Sequence, residues 1–495
     1  MVDDRRVVVV GSGPAGAMAA HELVRKGIPV TLLEAGDDIQ HGVLVRIGGR
    51  NFYRRLPPMR KAGGFVVTGN PETNLEYTYA LGGLSNQWTG AVPRFCAEDF
   101  TAGEQVHEKF RWPVSYDELA PYYEIAERHM RVTAGANSVP SLPAGYSDYQ
   151  HQIPSDWQQV ARSALKHGQG MTTMPLADGP PFLLLRRGTA FNSYALLLQK
   201  LRDNPAFRLV TGAHVLMLEW DRVKQRAGAA VYYDRQTETQ KRVSGSAFVI
   251  ACGPLNSPKL LFNSACSDRP HGLGNSAGLL GKYLHDHPRE WWAVDIDKPI
   301  TSLSPPAYLT RLPHTASDPL LACSWTLGAF GTIGKIKSRF GQKSTSFGVQ
   351  VFGTMIPKEK YYVRPSRDQK DEFGLPKLEV HIEFEEEILA NVISARQYFL
   401  QLMENAGYKG TIRDIVPQLF PGTAKHYGGA ARMHASPEFG VTDSFQRLHD
   451  APNVLVVDAS SFTTGAEKNP TLTVMALAAR SAGQLARDLK ANVTG

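Results

Sequence analysis

The sequence predicts a mixed α/β protein, in which a domain with a parallel sheet is combined with a discontinuous α+β domain built on an antiparallel sheet. The first observation is Val7–Val10, since four consecutive β-branched residues are typical of a strand buried on both faces. The second is the alternation of apolar residues over 349–351 and 378–382, typical of half-buried antiparallel strands. The third is that strand patterns return at 208–252 and 454–457, after two long excursions.

A glycine-rich turn follows the first strand. Its three glycines allow a tight turn, a close backbone approach to a pyrophosphate, and close packing of a helix on the strand. They are Gly11, Gly13 and Gly16, and Pro14 and Ala15 begin the predicted helix, which runs to about residue 25. The N-terminus of such a helix favours negative charge. An ordinary glycine turn is the structural alternative.

Glu34 completes the pattern. Residues 29–33 form a second predicted strand, and a carboxylate at its end can accept hydrogen bonds from a ribose hydroxyl. Because strand, turn, helix, strand and acid occur in this order, the sequence predicts that the chain binds a dinucleotide.

The composition is that of a globular protein with more than one domain. The 495 residues are 42% hydrophobic, and a net charge of +7 is modest for this length, so we expect no nucleic-acid partner. Basic clusters at 54–55 and 186–187 are typical of solvated faces or ligand contacts. The four cysteines lack metal-ligand spacing, so no metal is expected. No apolar stretch reaches the about 18 residues of a membrane span, and the first strand begins at residue 7, which indicates a cytoplasmic protein without a membrane contact.

The order of these patterns predicts two interleaved domains. The dinucleotide domain is expected to comprise residues 1–98, 190–290 and 425–495. The second domain, which selects the substrate, is expected to comprise residues 99–189 and 291–424. Residues 325–346 are rich in Gly, Ser and Lys, and they are predicted to form a mobile loop over the site.

Two residues near the C-terminus are candidates for acid–base chemistry. Histidine is the natural proton carrier near neutral pH, and His426 is followed by small residues at 428–431 that would let a flat group approach closely. Asn469 directly precedes Pro470 at the start of the last predicted helix. The structural alternatives are a loop histidine and a helix-capping asparagine.

At this point the motifs resemble those of the glucose–methanol–choline (GMC) oxidoreductases. Residues 253–265 are similar to a signature of that family, although Ala265 stands where the pattern usually has glycine. Residues 426–429 and 469–473 resemble the pyranose oxidase branch, as do 81–89 and 373–376. The resemblance runs from residue 7 to about residue 480, and therefore covers nearly the whole chain.

The resemblance implies FAD as the cofactor, His426 as the catalytic histidine and Asn469 as its partner. It places Glu34 at the adenine ribose, Val215 against the adenine, and Asp458 beside the pyrophosphate and ribityl chain. The turn residues Gly11, Gly13, Pro14, Ala15 and Gly16 are implied to lie at the pyrophosphate. The remaining implied cofactor contacts are Gly83, Ser85, Asn86, Gln87, Trp88, Thr89, Pro470 and Thr471.

Gln87 departs from part of this family. Fungal pyranose oxidases link FAD covalently through a histidine before the Trp-Thr pair, and that position is Gln87 here. Because glutamine cannot form this bond, we expect FAD to be bound without a covalent link. In this respect the chain resembles bacterial members of the branch, including C-glycoside 3-oxidases.

The activity that the resemblance implies is oxidation of a secondary hydroxyl of a pyranose sugar or glycoside, at carbon 3 or carbon 2, with O2 reduced to H2O2. A free-sugar pyranose 2-oxidase and a quinone-dependent sugar dehydrogenase are alternatives within the class. A hydroxynitrile lyase-like enzyme, which keeps FAD without redox chemistry, is a remote alternative. Gln350 either faces the sugar from its strand or points to solvent, and the oligomeric state stays open.

Overall fold

The computed structural model describes ten stretches of the chain. They are residues 5–38, 60–61, 65–75, 78–139, 141–153, 155–180, 190–298, 306–311, 320–328 and 345–491. Both basic clusters and residues 329–344 of the predicted loop lie outside the described residues.

The strands of the described chain follow one another as listed by their bounds. They are β1 Val7–Val10, β2 Val30–Leu33, β3 Arg60–Lys61, β4 Val66–Gly69, β5 Thr78–Tyr79, β6 Thr133–Gly135, β7 Tyr149–His151, β8 Gln169–Thr173, β9 Phe207–Val210, β10 Ala213–Asp221, β11 Arg226–Asp234, β12 Thr239–Ser244, β13 Ala247–Ile250, β14 Arg289–Ile296, β15 Ala307–Arg311, β16 Cys323–Leu327, β17 Thr345–Gly353, β18 Tyr362–Lys370, β19 Pro376–Ile382, β20 Gly410–Gln418, β21 Arg447–Leu448 and β22 Ala451–Val456. The α-helices are α1 Pro14–Arg25, α2 Ala97–Val106, α3 Tyr116–Met130, α4 Ser155–Lys166, α5 Asn256–Asn263, α6 Glu386–Asn405 and α7 Thr471–Ala491.

The first sheet is the parallel one that the sequence predicts. Its order is β21-β22-β13-β1-β2-β9, and all neighbours are parallel except β21 and β22. The side chains of β1 are at most 4% exposed, because helices α1 and α7 cover one face of the sheet and a second apolar cluster covers the other. The carboxyl ends of β1, β2 and β13 therefore meet at one edge, which is where ligands bind in sheets of this kind.

The second large sheet is antiparallel, as the alternation in the sequence predicts. Its order is β20-β14-β17-β16-β15-β8. Alternate residues of β14 and β17, such as Trp292 and Val349, are buried in one cluster with Phe399 of α6. Since successive side chains of a strand point to opposite faces, Arg289, Gln350 and their neighbours on the other face are left to line a cavity.

The domain boundaries are interleaved more closely than the two large sheets suggest. Strand β4 pairs in parallel with β19, across the predicted boundary. Helix α3 also packs on α7, where the Tyr123 hydroxyl lies 2.8 Å from Oγ1 of Thr473. The division into two domains stays a prediction. Across the described ranges, every helix falls short of the length and hydropathy that a bilayer span requires.

Candidate active site

A cavity of about 640 Å³ lies at the carboxyl edge of the parallel sheet. One end is lined by the turn after β1 and by Glu34, and the other by His426 and Asn469. One wall is contributed by the antiparallel sheet, through Arg289, Gln350 and Phe352. The cavity therefore joins the predicted dinucleotide site to the predicted acid–base pair.

The glycines of the first turn have different roles in this geometry. Gly11 has a φ of +100°, and a Cβ atom there would lie 2.4 Å from the carbonyl oxygen of Ala251. A Cβ atom on Gly16 would lie 2.0 Å from the carbonyl oxygen of Gly11, so Gly16 is required for packing and does not line the cavity. Gly13 has no neighbouring atom within 4 Å of such a Cβ position and faces the cavity together with Pro14 and Ala15.

Glu34 is buried at this end and is held by the turn. Its Oε2 accepts hydrogen bonds from the backbone N–H of Ser12, at 3.0 Å, and from the Ser12 hydroxyl, while Oε1 accepts from the N–H of Gly36 at 2.7 Å. Burial raises the pKa of the Glu34 carboxyl, and these hydrogen bonds oppose that shift. Each oxygen carries further lone pairs toward the cavity, so Glu34 can still accept from a sugar hydroxyl.

The loop before α2 forms another part of the wall. Its residues Gly83, Ser85, Gln87, Trp88 and Thr89 all line the cavity. Asn86 lies behind this wall, where its Nδ2 donates to the carbonyl oxygen of Gly83 at 2.8 Å and its Oδ1 accepts from Asn192 at 2.6 Å. Asn86 thus fixes the shape of the loop, and its direct contact with the cofactor stays a prediction.

The remaining predicted cofactor residues also line the cavity. They are Val215, Asp458, Pro470 and Thr471. Asp458 accepts from the N–H of Gly253 at 3.0 Å and from that of Ser460 at 2.9 Å, which joins β13 to β22 at the edge of the sheet. Burial raises the pKa of Asp458.

These residues fit FAD. The open position at Gly13 lies directly before the N-terminus of α1, where backbone N–H groups can receive a pyrophosphate. Glu34 and Val215 provide an acceptor and a strand edge for the adenosine. At the other end, Pro470 and Thr471 bring the positive end of α7 to the cavity wall, where it favours negative charge on a bound ring.

His426 and Asn469 lie in contact at this second end. The Asn469 Nδ2 atom is 3.1 Å from Nε2 of His426, and Nδ1 of His426 is 3.0 Å from Nδ1 of His287. An amide nitrogen only donates, so Nε2 of His426 must be the acceptor and Nδ1 must carry the proton that is donated to His287. This tautomer, assigned from the hydrogen-bond network, leaves the Nε2 lone pair beside the cavity.

The electrostatics of this end keep His426 neutral. Burial and the positive charge of Arg289 lower the pKa of His426 to about 3, and burial together with the charge of His426 holds the pKa of His287 well below its ordinary value. Behind them, Asp286 accepts from the backbone N–H of His426 at 2.9 Å, and burial raises the pKa of Asp286 to about 6. Asp286 is therefore placed to stabilise positive charge that develops on His426.

The small residues after His426 have a different role from the one their size suggests. A Cβ atom on Gly428 would lie 2.4 Å from Nε2 of His285, and one on Gly429 would lie 2.2 Å from the carbonyl oxygen of Tyr283. The glycines are thus required for packing on the segment before β14. This packing brings His287 against His426.

Several residues of the site are absent from the sequence prediction. The run 285–289 reads His-Asp-His-Pro-Arg, and this density of titratable side chains was a signal that pointed to it. Lys468 is the other case: its buried Nζ donates to Asp99 at 2.7 Å and to Glu467 at 2.8 Å. Since Asp99 also accepts from the N–H of Cys96 at 2.8 Å, Lys468 ties the residue before Asn469 to the start of α2.

Comparison with known proteins agrees with this site. Models of the GMC oxidoreductase family match residues 59–289 and 357–478, and an FAD binding domain model matches residues 4–42. A paromamine 6'-oxidase from Streptomyces fradiae is 29% identical over 98% of this chain and 92% of its own. A fructose dehydrogenase large subunit from Gluconobacter japonicus is 25% identical and a C-glycoside 3-oxidase from Microbacterium trichothecenolyticum is 24% identical, each over 98% of both chains. The crystal structure of pyridoxine 4-oxidase from Mesorbium loti superposes with a TM-score of 0.67 at 18% identity, over 97% of this chain and 98% of that one.

The fold and the family models together define a flavoenzyme, and FAD is its cofactor. The chain belongs to the GMC oxidoreductases, and it is an FAD-dependent oxidoreductase that acts on CH–OH groups of a small molecule.

Proposed function

We propose that the protein oxidises a secondary hydroxyl of a pyranose sugar or glycoside to a ketone, at carbon 3 or carbon 2, with C-glycoside 3-oxidase activity as the favoured form. The observation that carries the proposal is the contact of Nε2 of His426 with the amide of Asn469, at the end of a cavity that fits FAD. The similarity to a C-glycoside 3-oxidase over nearly the full length of both chains supports the choice of substrate class.

In this reaction His426 is the general base. Its Nε2 lone pair accepts the proton of the substrate hydroxyl, while the Asn469 amide orients the same oxygen. FAD, when bound, supplies the acceptor for the hydride that leaves the carbon atom. The imidazolium that forms on His426 still donates from Nδ1 to His287, and the carboxylate of Asp286 lies behind it.

The electron acceptor is a separate part of the proposal. We expect O2 to be reduced to H2O2, as in an oxidase. A dehydrogenase that passes electrons to a quinone is the second candidate, and the similarity to a fructose dehydrogenase large subunit favours it. Peroxide production under air, compared with reduction of a quinone dye in the same preparation, distinguishes the two.

A panel of sugars tests the substrate. Free pyranoses and aryl C- and O-glycosides are mixed with the holoenzyme without air, and the loss of flavin absorbance at about 450 nm is followed. We expect bleaching with pyranosides and a keto sugar as the product. A flavin that no sugar bleaches would overturn the proposal and favour a reaction without redox chemistry, such as that of a hydroxynitrile lyase.

A further inference from the structure

Arg289 occupies the substrate end of the cavity without a carboxylate partner among the described residues. It begins β14 opposite Phe352 on β17, on the sheet face that lines the cavity. Its Nη1 donates to the carbonyl oxygen of Thr423 at 3.1 Å, and its Nε and Nη2 donate to the side-chain oxygen of Gln350, with the amide oriented by this contact. All three acceptor contacts are therefore to neutral oxygen atoms.

A guanidinium group has five N–H donors, so two of them remain on Arg289. Elsewhere in the described chain, comparable arginines bind acids: Arg94 donates to both oxygens of Glu127 at 2.6 Å, and Arg396 pairs with the buried Glu290. A desolvated charge without a counter-charge is costly, and burial accordingly lowers the pKa of Arg289. The geometry leaves room for an acceptor that comes from outside the chain.

The charges that line the cavity indicate which ligand provides it. Lys425 lies in the same wall as Arg289, beside His426. The acids among the described lining residues are Glu34 and Asp458, and both are held by hydrogen bonds from the dinucleotide turn and the edge of the parallel sheet. The pyrophosphate of FAD fits at the N-terminus of α1, so it does not supply the counter-charge at the substrate end.

We propose that Arg289 forms an anion subsite beside His426, and that the preferred substrate carries a carboxylate, as in a sugar acid or a glycuronide. The planar fork of two N–H donors matches the two oxygens of a carboxylate. Protonated amino sugars are disfavoured by the same charge. This inference rests on the proposed oxidation of a sugar hydroxyl, and it narrows the class of sugar.

The test compares two substrates that differ only at carbon 6. Phenyl β-D-glucuronide carries a carboxylate where phenyl β-D-glucoside carries a CH2OH group, and both kcat/KM and the binding constant are measured on the holoenzyme. We expect the wild type to favour the glucuronide by about 10- to 100-fold, since hydrogen bonds to charged groups are of that strength. Arg289→Gln should remove this preference with little change in the constants for the glucoside, and Arg289→Lys should keep part of it.

Two further variants protect the experiment. Gln350→Glu places an internal carboxylate on Arg289 and should abolish the preference even if Arg289→Gln does not fold. Arg413→Gln is the matched control, because it removes a positive charge from the neighbouring strand β20, where exposed Arg413 donates to Asp295 at 2.7 Å, and it leaves the cavity unchanged.

A direct binding probe separates this inference from the proposed function. Benzoate should perturb the flavin spectrum of the wild type and bind about tenfold or more weakly to Arg289→Gln. Sugar oxidation with equal constants for both glycosides, and equal effects of Arg289→Gln on both, would overturn the subsite alone. Benzoate binding that depends on Arg289, with no oxidation of any sugar, would overturn the proposed function while retaining the subsite. Benzoate binding that is the same in both proteins counts against the subsite.

Discussion

Replacement of His426 by alanine is the most direct test of the proposed chemistry. The change removes the Nε2 lone pair beside Asn469 and the Nδ1–H donor to His287, while the lining residues of the dinucleotide end are left in place. General-base assistance contributes about 10²- to 10⁴-fold, which corresponds to about 3–5 kcal/mol of activation free energy. We therefore expect His426→Ala to slow flavin reduction by two to four decades and to retain FAD.

The fold should survive this change. The ring of His426 packs against Phe352 at a centroid distance of 5.1 Å, and its loss leaves the Asn469 amide and the His287 ring without one hydrogen-bond partner each. Such losses cost about 1–3 kcal/mol when the group is buried, and less here because water enters from the cavity. A small decrease in the thermal midpoint is expected.

The assay is anaerobic stopped-flow reduction of the flavin by the best sugar of the panel. FAD content and the thermal midpoint are measured on the same preparations, and His271→Ala, which changes an exposed histidine, is the control. Reduction of His426→Ala at close to the wild-type rate, with FAD and fold intact, would refute the assignment of the base.

Other outcomes follow from the same geometry. Asn469→Ala keeps the Nε2 lone pair of His426 and should slow reduction by about 2- to 10-fold, whereas Asn469→Asp accepts a proton from Nε2 and should be slower still; the opposite order in stopped-flow rates would contradict the assigned tautomer. Because the pKa of His426 is lowered to about 3 and the neutral ring is the base, kcat/KM should stay level as the pH falls from about 8 to about 5, and an acidic limb near 6.5 would be inconsistent with this. With Gln87 at the linking position, acid precipitation should leave yellow FAD in the supernatant, and flavin in the pellet would show a covalent bond. Lys468→Met leaves two buried carboxylates without their cation and should destabilise the holoenzyme by about 3–5 kcal/mol, so an unchanged thermal midpoint would argue against a structural role.

The sequence alone was sufficient for the dinucleotide end. The parallel strand Val7–Val10, the turn with Gly11 and Gly13, and Glu34 lie within 30 residues of one another, and their periodicity and turn chemistry are local properties. The resemblance to a known family then pointed to His426 and Asn469, and the structure brings them to 3.1 Å across 43 residues of sequence.

Only the tertiary structure decided what surrounds that pair. His287 reaches His426 across 139 residues, because the glycines at 428 and 429 allow close packing on the segment before β14. Register then places Arg289 and Gln350 on one face of an antiparallel sheet, and a shift of one residue in either strand would turn its side chain toward α6 instead. Protonation and charge at the substrate end therefore depend on long-range strand pairing, which local periodicity does not encode.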